Sequence, residues 1–332
     1  QSHTNRNVYL DNVRACLIFL VVIGHAIEPV RYTHTLWLST YMFIYFFHGP
    51  MLALVSGYLS KAEMNFSAVK KNFIRFIVPY LIFMFIIQTQ EFWLTYDANE
   101  FLKFNPLKSK YTLWYLLCLF MWRLLLPIFI KTGYPLLLSI LSGVLIGFIP
   151  FDGRFLSFSR LAVFFPYFIV GFLLKEKGQD LKRLIPLKPA LVILFTAFIF
   201  SVLLEGRGMM WFWSHQTYYF ISFPLWADPM IRLALYPFVF AVGFAFFSII
   251  TVQKSYLTII GIRSIYVYLL HTPILFFLLH SSIKFRAPGS LMVVSGILLT
   301  LFLSTRMVMK VTTPIVDPSV LLFKDKKRHD AA

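Results

Sequence analysis

Charge is scarce in this chain. Asp, Glu, Lys and Arg supply only 14% of the 332 residues, where a soluble domain carries about a quarter. With 59% of the residues hydrophobic, 19% aromatic and a mean hydropathy of +0.74, too little polar surface is left to cover a water-soluble core. The chain reads as an all-α polytopic integral membrane protein. Acidic residues are the scarcer sign, 14 against 31 Lys and Arg, for a net charge of +17. That excess invites a nucleic-acid partner. Yet the basic residues gather in short loops between apolar runs, as the positive-inside rule describes, and no RNA- or DNA-binding module is visible. No nucleic acid is expected, and membrane lipids are.

Other absences exclude further classes. The two cysteines, Cys16 and Cys118, both lie inside apolar runs, which makes them small buried hydrophobes and not a disulfide framework. There is no Gly-rich phosphate loop, no internal repeat and no soluble domain. No His-x-x-x-His pair with an acidic companion offers a zinc site, and no Gly-x-Ser-x-Gly elbow offers a serine hydrolase; no metal is expected. The first apolar stretch runs past signal-peptide length without a small-residue cleavage site, so no cleavable leader is expected.

A spanning helix needs about 20 mostly apolar residues. That length divides the sequence into about ten spans, roughly 9–29, 38–59, 73–90, 112–130, 134–150, 161–174, 189–204, 230–250, 264–281 and 289–308. The sixth is short and contains Pro166; the division of the fourth from the fifth rests on Lys131, Gly133 and Pro135. With the N-terminus inside, the inner surface takes 21 of the 31 Lys and Arg, dominated by Lys61–Arg75, Lys175–Lys188 and the tail "KDKKRHD". Both termini are therefore predicted to be cytoplasmic. The largest outward loop, Glu205–Pro229, is dense in Trp and Tyr. It reads either as an interfacial aromatic belt or as a platform on which sugar rings stack.

The first span, "NVYLDNVRACLIFLVVIGHAIEP" from Asn7 to Pro29, carries four ionisable side chains: Asp11, Arg14, His25 and Glu28. Each costs several kcal/mol if it faces lipid. At 100° per residue, the 11 steps from Arg14 to His25 make three turns plus about 20°. The two therefore share one face, about 16 Å apart along the axis at 1.5 Å per residue. Asp11 and Glu28 fall on the same stripe. Intramembrane polar groups can simply hold helices together. A stripe of four points instead to a pathway, with Arg14 near the inner surface attracting an anion. His25, in the outer half, is placed as a base oriented by Glu28.

Other spans add polar groups. In "YMFIYFFHGPMLALVSGYLS", Tyr41, Tyr45 and His48 recur on one face beside the Gly49-Pro50 kink. Arg75 in "KKNFIRFIVPY" makes a cytoplasmic patch with Lys70 and Lys71. That patch is read equally as an orientation signal or as a phosphate site. Trp114 and Tyr115 open the fourth span at the outer surface, where belt residues are expected. Arg160 begins the sixth. His271 lies near the outer end of the ninth, the third histidine in the outer half.

Taken together, "LDNVRACLIFLVVIGH", "FFHGPMLALVSGYL", "RFIVPY", "LWYLLCLFMWRLLLP", "RLAVFFPYFIVGFLL" and "RSIYVYLLH" resemble, in order and across nearly the whole chain, the membrane acyltransferase-3 family. The short form is similar to its fucose 4-O-acetylase-like and intercellular-adhesin branch. The resemblance implies ten core helices in one acyltransferase domain, residues 1–310, followed by a basic cytoplasmic tail, 311–332. The membrane it implies is a bacterial plasma membrane. It further implies transfer of an acyl group, usually acetyl, from cytoplasmic acyl-CoA to a hydroxyl of an extracytoplasmic polysaccharide or lipid-linked glycan. His25 becomes the catalytic residue and Arg14 its required partner, with Arg14, Lys70, Lys71 and Arg75 at the acetyl-CoA phosphates. His48, Trp114, Tyr115, Arg160 and His271 are the groups expected to face the acceptor. Many relatives add an extracytoplasmic esterase-like domain after the last helix. This sequence stops soon after it, so direct transfer is expected.

The chemistry suits these residues. Attack by the acceptor hydroxyl on the thioester carbonyl requires a base, and an imidazole with an ordinary pKa of about 6.5 serves near neutral pH. CoA is a polyanion that stays at the inner surface, and its pantetheine arm would reach His25 along a tunnel lined by the stripe. The rival from another class is a glycan exporter or flippase. Against it, no inverted repeat or pair of broken helices is legible. A non-catalytic scaffold is the third reading, under which His25→Ala is silent.

Overall fold

The computed structural model describes residues 7–95, 104–150, 155–182, 184–215, 218, 227–280 and 288–322. Every extended element among them is helical, with one isolated bridge between Lys108 and Phe155. Helix α1 is Val8–Ile27, followed by a 3-10 turn, Glu28–Val30, and α2 is Thr35–Tyr58. Helix α3, Phe66–Asn72, passes through one π-helical turn, Phe73–Ile77, into α4, Val78–Thr95. Next come α5 (Trp114–Lys131), α6 (Pro135–Leu145), α7 (Phe158–Glu176), α8 (Leu187–Leu204) and the short α9 (Met209–Trp213). The chain continues with α10 (Ala227–Ser248), α11 (Tyr256–Ile262), α12 (Ser264–His280), α13 (Gly289–Leu303), α14 (Arg306–Val316) and α15 (Pro318–Leu322).

Among the described residues, seven helices are long and apolar enough to cross a bilayer, or nine when the bent pairs α11–α12 and α13–α14 each count as one span. The protein is multi-pass. The expected fifth span differs: α6 with its 3-10 turn covers only Pro135–Phe148. At 1.5 Å per residue that is about 21 Å, short of a hydrocarbon core of about 30 Å. The division placed at 310/311 falls inside α14, and residues 323–332 of the basic tail, which carry its Lys and Arg, lie outside the described residues.

Local chemistry sets the helix ends. Asn7 and Asn65 begin α1 and α3 as N-caps, accepting from the backbone N–H of Leu10 and Ala68 and satisfying donors that the first turn leaves free. The two bent pairs turn by 73° and 78°. Arg263, at the first bend, donates from Nη1 to the Ser304 carbonyl at the second, 2.7 Å away. One guanidinium thus supplies a donor to backbone at the second bend.

Helices α2 and α7 make the most extensive contact in the molecule, and it depends on glycine. A Cβ at Gly57 would lie 1.9 Å from the Phe168 carbonyl oxygen, and one at Gly171 would lie 1.9 Å from that of Leu54. This reciprocal pair lets the two backbones touch, as small residues do at membrane helix crossings. Helix α1 is surrounded by α2, α11, α12 and α13, which is why its polar stripe faces protein. By contrast α8 exposes Leu191, Val192, Phe195 and Leu203, a surface suited to lipid.

Candidate active site

The last turn of α1 positions the first group. His25 Nδ1 lies 3.4 Å from Glu28 Oε2 and 3.3 Å from the Tyr45 hydroxyl on α2. An ionised carboxylate only accepts, so the proton belongs on Nδ1 and the lone pair on Nε2. Glu28 is in turn 3.6 Å from Arg31, whose Nη1 also donates to the Glu28 carbonyl at 2.6 Å. The sequence places these three one helical turn apart, His25 to Glu28 to Arg31. The result is an imidazole oriented by a carboxylate that is itself oriented by a guanidinium.

This pair opens on a cavity of about 560 Å³, within the range of small-ligand sites. Helices α1, α2, α5, α7, α9 and α12 and the segment before α5 supply its walls. His48 donates from Nδ1 to the Ile44 carbonyl (2.8 Å), and His271 to that of Val267 (3.0 Å). A carbonyl cannot donate, so both rings present Nε2 as an acceptor. The His271 ring centroid is 5.6 Å from that of His25. Arg160 is the cation of the lining: its Nε donates to the Trp213 carbonyl at 3.0 Å, and its guanidinium carbon lies 4.7 Å from the Trp114 ring. Trp213 Nε1 donates to the Tyr41 hydroxyl at 3.2 Å, and Tyr41 stacks on Tyr45 with centroids 4.1 Å apart. A third cluster ties α12 to the 3-10 turn before α5, Tyr111–Leu113: the Thr112 and Thr272 hydroxyls bond each other, and the Tyr268 hydroxyl donates to the Thr112 carbonyl.

A base held by a carboxylate, facing a cavity that also holds a half-buried cation and two lone-pair imidazoles, is a setting for hydroxyl deprotonation. The family comparison agrees with that chemistry: the acyltransferase-3 model, an acyltransferase domain, matches residues 7–308. The chain belongs to the acyltransferase-3 family. It is 28% identical over 189 residues to nodulation protein NolL of Sinorhizobium fredii (strain NBRC 101917 / NGR234), covering 53% of this chain and 50% of that protein. To nodulation protein NolL of Mesorhizobium japonicum (strain LMG 29417 / CECT 9101 / MAFF 303099) it is 35% identical over 92 residues, 26% of this chain and 25% of the relative. The chain thus spans about half the length of the first relative and a quarter of the second. No solved structure matches.

In this acyltransferase-3 chain the fold brings His25, Glu28, His48, Trp114, Tyr115, Arg160 and His271 to one cavity. Trp114 and Tyr115 line this cavity; their place at the start of the fourth span suggests a belt, while the family resemblance sets them toward the acceptor. Part of the aromatic loop also folds inward, since Phe212, Trp213 and His215 line the same space. Residues 216–217 and 219–226 of that loop lie outside the described residues. Tyr41, Tyr45, Tyr268, Thr112 and Thr272 were not singled out as site residues. The tyrosine spacing on α2 and the neighbours of His271 carried a signal for four of them, and Thr112 carried none. Among the described residues no group of three His, Cys, Asp or Glu is placed to hold a metal ion.

Arg14, Lys70, Lys71 and Arg75 do not line this cavity. Arg14 donates to Ser264 Oγ at 2.8 Å and lies 3.3 Å from Asp11. It pins α1 to the bend between α11 and α12. Lys70 and Lys71 are exposed on α3, and Arg75 is half-buried on the π-turn. The cavity ends at Val21, Leu52 and Tyr115, and Ile18, next on the stripe, is buried. The Tyr115 hydroxyl, at the floor of the cavity, is bonded to Ser56 Oγ at 2.8 Å.

Proposed function

We propose that the protein is an integral membrane O-acyltransferase of the bacterial plasma membrane. It moves an acyl group, most simply acetyl, from cytoplasmic acyl-CoA to a hydroxyl of an extracytoplasmic polysaccharide or lipid-linked glycan. The observation that carries this reading is the His25–Glu28 pair facing a cavity that also holds Arg160, with Arg14 eleven residues below. That separation is about 16 Å. The pantetheine arm has about fourteen bonds between its phosphorus and the acyl carbon, which at the advance of an extended backbone is also about 16 Å. A phosphate held at the depth of Arg14 therefore delivers its thioester to His25.

In the reaction, His25 Nε2 takes the acceptor hydroxyl's proton as the oxygen attacks the thioester carbonyl. Glu28 stabilises the imidazolium that forms, and Arg160 donates to the developing oxyanion. The C–S bond then breaks, the imidazolium returns its proton to the leaving thiolate, and ester and free CoA result. Trp114 and Trp213 offer ring surface to a sugar, while the His48 and His271 acceptors suit its hydroxyls. Passage of the arm requires Tyr115 and Ser56 to part.

The test is acetyl-CoA turnover by the purified protein in lipid nanodiscs, with and without host polysaccharide, wild type beside His25→Ala. Free CoA release that needs the acceptor and disappears in His25→Ala is the expected result. A wild type that neither binds nor turns over any acyl-CoA would replace this reading with glycan export.

A further inference from the structure

Helix α14, Arg306–Val316, differs in kind from the helix it follows. Along Gly289–Leu303, α13 carries no charged side chain, whereas α14 carries Arg306, Lys310 and two threonines, with no acidic residue. The chain turns by 78° between them. A helix that leaves an upright span at that angle runs close to the bilayer plane. Amphipathic helices of low net hydrophobicity, with basic residues on the polar face, settle there.

Its faces divide to match. At 100° per residue, Val308, Met309, Ile315 and Val316 fall about 80–200° round from Met307, and all four pack on the core. The Thr313 and Tyr266 hydroxyls, 3.0 Å apart, tie the helix to α12. Met307, Val311 and Pro314 lie within about 60° of one another, and all are exposed, Met307 by 76% and Val311 by 71%. Exposed Lys310 and Arg306 follow about 60° and 100° to one side. An apolar stripe that the core does not cover is thus edged by cations. Among the described residues no carboxylate oxygen lies within 4.0 Å of Arg306, Lys310 or Arg263, and Arg263 feels the charge of Arg306. Arg306 also occupies the first turn of α14, where the helix dipole disfavours a cation and favours an anion. The surface lacks negative charge, and an anionic partner supplies it.

We infer that α14 is an in-plane anchor for anionic phospholipid: Met307, Val311 and Pro314 sit among the acyl chains of one leaflet, and Arg306 and Lys310 hold its headgroup phosphates. By the charge bias of the loops this is the inner leaflet, whose anionic lipids attract basic segments beside a span. The anchor stands independently of the acyl-transfer reading. Hydrogen bonds join it to the rest of the bundle, since Arg263 reaches the Ser304 carbonyl just before α14 and Arg14 bonds Ser264 beside Arg263.

Depth tests the geometry. In a Cys16→Ala, Cys118→Ala background, nitroxide labels on Met307→Cys, Val311→Cys and Pro314→Cys are read by electron paramagnetic resonance in nanodiscs containing phosphatidylglycerol. Collisions with oxygen against those with an aqueous nickel complex give each label's depth. Equal depths beneath the headgroups are expected. A spanning continuation of α13 would separate the labels at 307 and 314 by about 10 Å, at 1.5 Å per residue, and overturn the anchor. Labels that collide mainly with the nickel complex would place α14 in water and overturn it too, and cross-linking between Val311→Cys copies would give the stripe to a second copy of the chain. The headgroup is tested by titrating phosphatidylglycerol into the protein in neutral detergent and counting bound lipid by native mass spectrometry. The Arg306→Gln, Lys310→Gln double variant should hold one phosphatidylglycerol about 30-fold more weakly than wild type, which corresponds to about 1 kcal/mol per cation. The Arg306→Lys, Lys310→Arg variant, which keeps both charges, should match wild type. Unchanged binding in the double Gln variant, or equal binding of phosphatidylcholine by wild type, would overturn the anionic-lipid assignment.

Discussion

The role given to Glu28 is open to a quantitative test through Glu28→Gln. The amide keeps the shape and an acceptor for His25 Nδ1 but removes the charge 3.4 Å away. Two unit charges about 4 Å apart interact by about 4 kcal/mol near a protein surface and about 1 kcal/mol in bulk water. Glu28 is 41% exposed and shares its charge with Arg31 at 3.6 Å, so the value belongs in the lower part of that range, about 1–2 kcal/mol. At 1.36 kcal/mol per factor of ten, kcat/KM should fall about 5- to 30-fold. Losing the base itself, in His25→Ala, should cost about 10²- to 10⁴-fold. Because Glu28 acts only through His25, the double variant should be no worse than His25→Ala alone. The assay is CoA release at saturating acceptor. A Glu28→Gln loss as large as that of His25→Ala, or a further loss in the double variant, would show the carboxylate reacting on its own account and refute the orientation argument.

Three further outcomes follow from the geometry. Arg160→Gln should lower kcat about 10²-fold with little change in the KM for the acyl donor, since it removes a donor aimed at charge that develops only in the transition state; a pure KM effect would make Arg160 a ground-state acceptor contact. Tyr115→Phe loses one buried hydrogen bond, worth about 1 kcal/mol. In a Cys16→Ala, Cys118→Ala background, a cysteine placed by Val21→Cys should then react about fivefold faster with a membrane-impermeant thiol reagent applied from the cytoplasmic side, and an unchanged rate would mean the floor is sealed elsewhere. Gly171→Leu drives a side chain into the Leu54 carbonyl and should abolish the monodisperse peak in size-exclusion chromatography, whereas recovery of folded, active protein would contradict the close α2–α7 crossing.

Much of this architecture is legible from hydropathy because a bilayer enforces it: a long apolar run has nowhere else to go. What hydropathy reports is the medium, not the partner, and the misreadings fall there. The stretch 134–150 has the composition of a span, yet α6 stops at Leu145 and tightens into a 3-10 turn at Ile146–Phe148. Ring faces of Trp and Tyr are equally at home in a lipid interface and against a sugar, so nothing in the letters distinguishes a belt from a wall. The fold decides it by setting the Trp114 ring against the Arg160 guanidinium and the Trp213 indole N–H on the Tyr41 hydroxyl.

The polar stripe on α1 is the instructive case. Its period was readable, and it placed Arg14 and His25 on one face. The same period also places Ile18 and Val21 between them, and those two letters already state that the path is apolar at its midpoint. A route for a polyanion's arm through such a stretch has to be built from other helices and opened on demand. At the floor of the cavity α2 and α5 bring together Leu52, Ser56 and Tyr115, residues whose meeting no single helix encodes. On the proposed reaction, donor from inside and acceptor from outside would meet at His25, and the Tyr115–Ser56 contact would have to open for the donor's arm without leaving a pore between the two sides.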